Sequence, residues 1–118
     1  ARIEERFSMN ESETIEEEVY HFGETTFCYN NNELRTRSSR VLITSRQADI
    51  LRLLAKNIGN VVSKEMIQEA VWGTVSYANS LAVNVQMTYL RHALQHDATV
   101  KIESLKKKGY VLSVISPE

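Results

Sequence analysis

The spacing of apolar residues changes period twice along this 118-residue chain. From Val19 to Ile43 they occur in short β-branched or aromatic stretches: Val19 to Phe22, Thr25 to Tyr29, Leu34 to Thr36 and Val41 to Ile43. Gly23, the Asn30-Asn31-Asn32 run and Ser38-Ser39 separate them, which predicts a small antiparallel sheet with tight turns. From Thr44 the period becomes helical. Thr44 with Gln47 three residues later fits a capping box, and Ile50, Leu51, Leu53, Leu54 and Ile58 form an apolar stripe ending before Gly59. After the extended pair Val61-Val62, Ser63 is placed to cap a second helix of about three turns, with Met66, Ile67, Ala70 and Val71 facing inward and Gly73 as its stop. Beyond the segment from Gly73 to Asn79, Ser80 is expected to cap a third helix that buries Val83, Met87, Leu90 and Leu94. The period then returns to two. Val100 to Ser104 and Tyr110 to Ile115 alternate as paired strands around Leu105 to Gly109, which carries Lys106, Lys107 and Lys108.

The pattern predicts an α+β domain with an N-terminal antiparallel sheet, three helices and a C-terminal hairpin. These are the lengths of a winged helix-turn-helix, which suits duplex DNA. A third helix that buries Val83, Met87, Leu90 and Leu94 presents Ala82, Val85, Gln86 and Tyr89 elsewhere, with Arg91 and His92 at the margin. In a major groove a glutamine such as Gln86 can pair with adenine N6 and N7, Val85 and Ala82 can touch thymine methyl groups, and Tyr89 can reach a phosphate or base edge. A merely solvated face would look the same, so the helix alone leaves both readings open. Three lysines at a hairpin tip repel one another. A phosphate backbone or a narrow minor groove would neutralise them, Lys106 first, and protection of a sheet edge is the alternative. Ser104, on the strand leading to that tip, joins Lys106, Lys107 and Lys108 as a phosphate candidate. For Trp72 the core is the default, although its indole N–H needs an acceptor and a phosphate oxygen would serve. Helix and hairpin together favour DNA.

Charge sharpens this picture. The net charge of −1 divides unevenly: residues 1–24 hold two Lys/Arg against eight Glu, and residues 25–118 twelve Lys/Arg against seven acids. A basic body suits a polyanionic partner. Arg2 to Phe7 reads as the end of a helix and Ser8 to Glu18 as an acidic linker, so residues 1–18 are assigned to the end of a preceding domain plus linker and residues 19–116 to the folded domain. A start at Ala1 suggests a piece of a longer protein. No apolar run approaches the roughly 20 residues of a membrane helix, and the single Cys28 cannot form an internal disulfide, so a cytoplasmic protein without membrane contact is expected. Enzymatic signals are weak. His92 and His96 have helical i,i+4 spacing but neither an intervening acid nor a third ligand, and they fit the helix C-terminus. Cys28 lies in the expected sheet with no nearby His, which favours an apolar role over a nucleophile. With no glycine-rich phosphate loop either, no cofactor and no metal are expected.

Four blocks carry a family resemblance across nearly all of Val19 to Val114. They are Leu42-Ile43-Thr44 leading into Leu51, Leu53 and Leu54; Asn60-Val61-Val62-Ser63-Lys64-Glu65 followed by Val71-Trp72-Gly73; Val83-Asn84-Val85-Gln86-Met87-Thr88-Tyr89-Leu90-Arg91; and Lys108-Gly109-Tyr110. Together they resemble the effector domain of OmpR/PhoB-type bacterial response regulators. The resemblance implies a sheet packed in front of the helices, a third helix in the major groove, a wing at the adjacent minor groove and a phosphate contact by Trp72. It also implies contact with RNA polymerase through the loop Gly73 to Asn79, homodimers on tandem half-sites, and an upstream receiver domain whose closing helix is similar to Arg2 to Phe7. Several positions depart from the family: Lys106 stands where arginine is usual, Leu81, Thr88 and Tyr89 where basic residues are frequent, and Lys107 where glycine is common. Two alternatives stay open, a membrane-anchored ToxR-like activator with the same winged fold and a winged-helix module that binds protein instead of DNA.

Overall fold

The computed structural model describes residues 18–115. Arg2 to Phe7, and all of the expected linker but Glu18, lie outside the described residues. Strands β1 (Val19–Phe22), β2 (Thr25–Cys28), β3 (Glu33–Arg35) and β4 (Arg40–Leu42) form an antiparallel meander in chain order. Their register places Tyr20 beside Phe27, Phe27 beside Leu34 and Leu34 beside Val41, so one apolar row crosses the sheet and joins the core. Glu18 is docked on this body: its backbone N–H donates to Asn30 Oδ1 at 2.6 Å, and Arg52 Nη1 lies 3.2 Å from its carboxylate. Burial, with the hydrogen bond donated to Glu18, pushes the Tyr20 phenol up to about 12.

Helix α1 (Ser45–Lys56) begins with the expected capping box, in which Thr44 and Gln47 satisfy each other's backbone N–H. It buries Ile50, Leu51 and Leu54 but ends two residues before Ile58, which is exposed. The reason is local. Asn57 turns the chain so that Gly59 N–H can donate to Leu112 O at 2.9 Å, leaving Ile58 on the outside of the bend. Helix α2 (Lys64–Trp72) is capped by Ser63 and closed by Gly73, as expected. Its inward face is rotated from the expected one: Ile67 and Gln68 are buried, Val71 is half-buried, and Met66 and Ala70 face solvent. Gln68 is the polar residue that disguised this face, and its burial is satisfied because its Oε1 accepts from Ser76 N–H at 2.9 Å.

Helix α3 (Tyr77–Ala93) starts a turn earlier than expected. Ser76, not Ser80, is the N-cap and accepts from Asn79 N–H at 3.1 Å. Tyr77 and Ala78 are exposed in that added turn, which is why apolar periodicity first registers later. The segment between the helices therefore shrinks to residues 73–76, tied by Asn79 Nδ2 to Thr74 O at 3.0 Å. Val83, Met87, Leu90 and Leu94 are all buried, as their spacing requires.

Strands β5 (Val100–Leu105) and β6 (Gly109–Val114) form the C-terminal hairpin, and Val62 pairs with Tyr110 through two backbone hydrogen bonds of 2.7 and 2.9 Å. A second tie joins this half to the first sheet. Asp97 is buried and accepts from Glu24 N–H (2.8 Å), Thr25 Oγ1 (2.6 Å), Thr99 N–H (2.9 Å) and Thr99 Oγ1 (2.5 Å). Burial alone would raise its pKa, but hydrogen bonds from Thr25 and Thr99 and from the backbone outweigh burial and hold the carboxyl below the usual aspartate range. A carboxylate whose native pKa is depressed stabilises the fold fully above its unfolded pKa and loses that contribution as pH falls through the native value. Asp97→Asn turns one acceptor into a donor facing donors. It should cost about 2 kcal/mol near neutral pH and flatten the loss of stability below about pH 4, measured by urea unfolding across pH.

Candidate nucleic-acid interface

The helix period that buries Val83, Met87, Leu90 and Leu94 turns Leu81, Val85, Thr88, Tyr89 and His92 away from the core, and all five are exposed. Ala82 and Gln86 are half-buried along one margin of this face, and Asn84 and Arg91 lie along the other.

On the Asn84 side stands the hairpin. Tyr110 Oη donates to Asn84 Oδ1 at 2.8 Å, while burial pushes its phenol pKa up, so the hydroxyl remains a donor at neutral pH. Tyr110 also lies across from Ser104 in the ladder. A cleft of about 290 Å³ opens here, lined by Lys64, Asn84, Ser104, Lys106, Lys108 and Tyr110 among others. Lys106, Lys107 and Lys108 are exposed at its rim. Lys107 has φ +66°, the left-handed region, which accounts for the glycine frequent at this place in the resembled family.

On the Gln86 side stands the start of α1. Gln47 Nε2 donates to Gln86 Oε1 at 3.0 Å, so the capping glutamine of α1 also grips α3. Next to it, Arg46 stacks its guanidinium 4.7 Å over the Trp72 ring and donates to Val71 O at 3.2 Å. Trp72 is half-buried against the core, so it combines a packing role with an open edge.

The structure thus brings Val85, Tyr89 and Ala82 together with the hairpin lysines, Ser104 and Trp72 around one helix. It engages one polar atom each of Gln86 and Arg91 inside the chain. The Gln86 carbonyl is engaged by Gln47, and Arg91 Nε donates to Ile102 O at 3.1 Å while its guanidinium lies 5.9 Å from the Tyr110 ring, bracing α3 against the hairpin. Sequence reasoning passed over Arg46 and Asn84. Arg46 carried a usable signal, since a cation in a first helical turn opposes the helix dipole and needs another reason to be there. Asn84 carried none, because its role depends on where Tyr110 comes to lie. Among the described residues no cluster of His, Cys, Asp and Glu is arranged to hold a metal, and no helix is long and apolar enough to cross a membrane.

Residues 38–112 match the family described as transcriptional regulatory protein, C terminal. The transcriptional regulatory protein RprY of Bacteroides fragilis is 26% identical over 103 residues, covering 87% of this chain and 44% of RprY. The response regulator ArlR of Staphylococcus aureus is 32% identical over 81 residues, covering 68% of this chain and 37% of ArlR. The chain therefore spans less than half the length of these curated relatives. In fold it is similar to the DNA-binding domain of CpxR from E. coli, with a TM-score of 0.73 at 20% identity over 84% of this chain and 99% of that one. The chain belongs to the transcriptional regulatory protein C-terminal family, and its fold is the winged helix seen in the OmpR/PhoB homologue DrrB of Thermotoga maritima, with a TM-score of 0.67 at 24% identity over 80% of this chain and 44% of that one.

Proposed function

We propose that this chain is the effector part of a response regulator and binds duplex DNA in a sequence-specific manner to control transcription, with α3 in the major groove and the β5–β6 hairpin as its wing. One observation carries the assignment of surfaces: the outer face of α3 is bordered by Lys106, Lys107 and Lys108 on one side and by Arg46 over Trp72 on the other. Cations on both rims and a largely uncharged strip between them match the section of a major groove, with phosphates at its edges and bases at its floor. Trp72, Ser104 and the three lysines contact phosphate in this reading, and Ala82, Val85 and Tyr89 face bases. Gln86 offers its amide N–H groups, and Arg91 holds the wing in place.

The exposed turn at residues 73–76, with Tyr77 beyond it, supports contact of this segment with RNA polymerase. Binding as two copies on tandem half-sites, a receiver domain and linker before the effector body, and a cytoplasmic setting complete the proposal. Selection from a random duplex library with the 118-residue chain tests it, the winner's affinity being measured at two salt concentrations. Enrichment of a direct repeat with steep salt dependence is expected, since each neutralised phosphate releases counterions. No enrichment and salt-insensitive binding would instead identify a protein-binding module.

A further inference from the structure

We infer that base recognition by α3 rests mainly on apolar contact with thymine 5-methyl groups, so that the target class is duplex with thymines at the positions under Leu81, Val85 and Tyr89. The inference rests on the DNA-binding reading above and deepens it. These three side chains follow one another at helical i,i+4 spacing along the outer face and are 46%, 50% and 57% exposed, an unusual apolar stripe for a solvated helix. Part of the capacity for hydrogen-bonded readout is taken up within the chain: the Gln86 carbonyl accepts from Gln47, Arg91 Nε donates to Ile102 O, and the Thr88 hydroxyl donates back to Asn84 O at 3.2 Å. Cationic side chains border the stripe on both margins, so its natural occupant carries negative charge at two edges and apolar groups between them. In the major groove the only apolar group on a base pair is the thymine methyl. A purely apolar protein partner would meet the flanking lysines without compensation.

The test compares affinity for the selected duplex with that for the same duplex carrying deoxyuridine in place of thymidine, one position at a time and then throughout each half-site. Pairing and backbone are unchanged and only the methyl is removed. Removal of one methyl that the protein touches should weaken binding about fourfold, the equivalent of one buried carbon. Uridine throughout should weaken it about tenfold or more while the salt slope stays the same. Val85→Ser, at an exposed position that leaves folding intact, should weaken binding to the thymidine duplex and abolish the penalty at the position it contacts. Overturning results are an affinity within twofold for the fully substituted duplex, or self-association of the free chain that Val85→Ser abolishes. Uridine insensitivity with a steep salt slope defeats the methyl inference alone, whereas absence of salt-dependent duplex binding defeats the DNA-binding reading with it.

Discussion

Replacing Lys106, Lys107 and Lys108 together by alanine is expected to lower affinity for every duplex, selected or not, on the order of tenfold or more at low salt. The lysines sit at the exposed tip of the β5–β6 hairpin, at the rim of the cleft beside Asn84, and are held there by a register that runs from Val100 opposite Val114 to Leu105 opposite Gly109. Their attraction to phosphate is independent of base sequence, so discrimination between duplexes should survive while overall affinity falls. The slope of log affinity against log salt should become shallower by about 0.9 for each phosphate that the protein no longer neutralises. Fluorescence anisotropy titrations from about 50 to 200 mM salt would show this. An unchanged slope would mean that the lysines only protect a hairpin edge. Because lysine and alanine meet a similar backbone cost at the left-handed Lys107 position, the substitution should leave thermal stability nearly unaltered.

Gly109→Ala should have the largest effect on folding. Gly109 has φ +139°, and a Cβ there would run into the carbonyl of Val62 and the Cα of Ser63, both fixed by the Val62–Tyr110 pairing. Backbone cannot swing aside as a flexible side chain can. The expected cost is about 3 kcal/mol, a fall in Tm of more than about 10 °C followed by circular dichroism. Gly73→Ala is the internal comparison, since Gly73 also has positive φ (+82°) but open space around its missing Cβ. It should cost only about 1 kcal/mol, the strain of the left-handed backbone itself. Equal costs at the two sites would show that the hairpin is not pinned to residues 62 and 63. The same close approach positions the hairpin against α3, since Tyr110, the next residue, donates to Asn84.

Features fixed by short-range rules were legible in the sequence. The Thr44–Gln47 box, the Ser63 cap, the Gly73 stop, the buried face of α3 and the hairpin with its lysine tip all depend on spacing within a few residues. Where expectation and structure part, a tertiary partner has changed the outcome. Gln68 faces inward because Ser76 needs an acceptor, and that displaces Met66 and Ala70 to the surface. Ser76 and Ser80 are both plausible caps by composition, and the choice falls to Ser76 because Asn79 closes the turn onto Thr74. Gln86 has the spacing of a free reader of adenine. Its engagement by Gln47, 39 positions earlier, follows only from the packing of α1 on α3. Asp97 shows only a local turn onto Thr99 in the sequence, whereas its burial follows from Glu24 and Thr25, which approach from the far end of the chain.

Which surface meets DNA can be read from backbone amide chemical-shift mapping of the 118-residue chain during titration with the selected duplex. The largest shifts are expected along α3 at Leu81, Val85 and Tyr89, at the tip residues 106–108 and in the first turn of α1 around Arg46, with β1 to β4 left in place. Shifts concentrated on the four-stranded sheet, with α3 and the hairpin tip unmoved, would contradict that expectation.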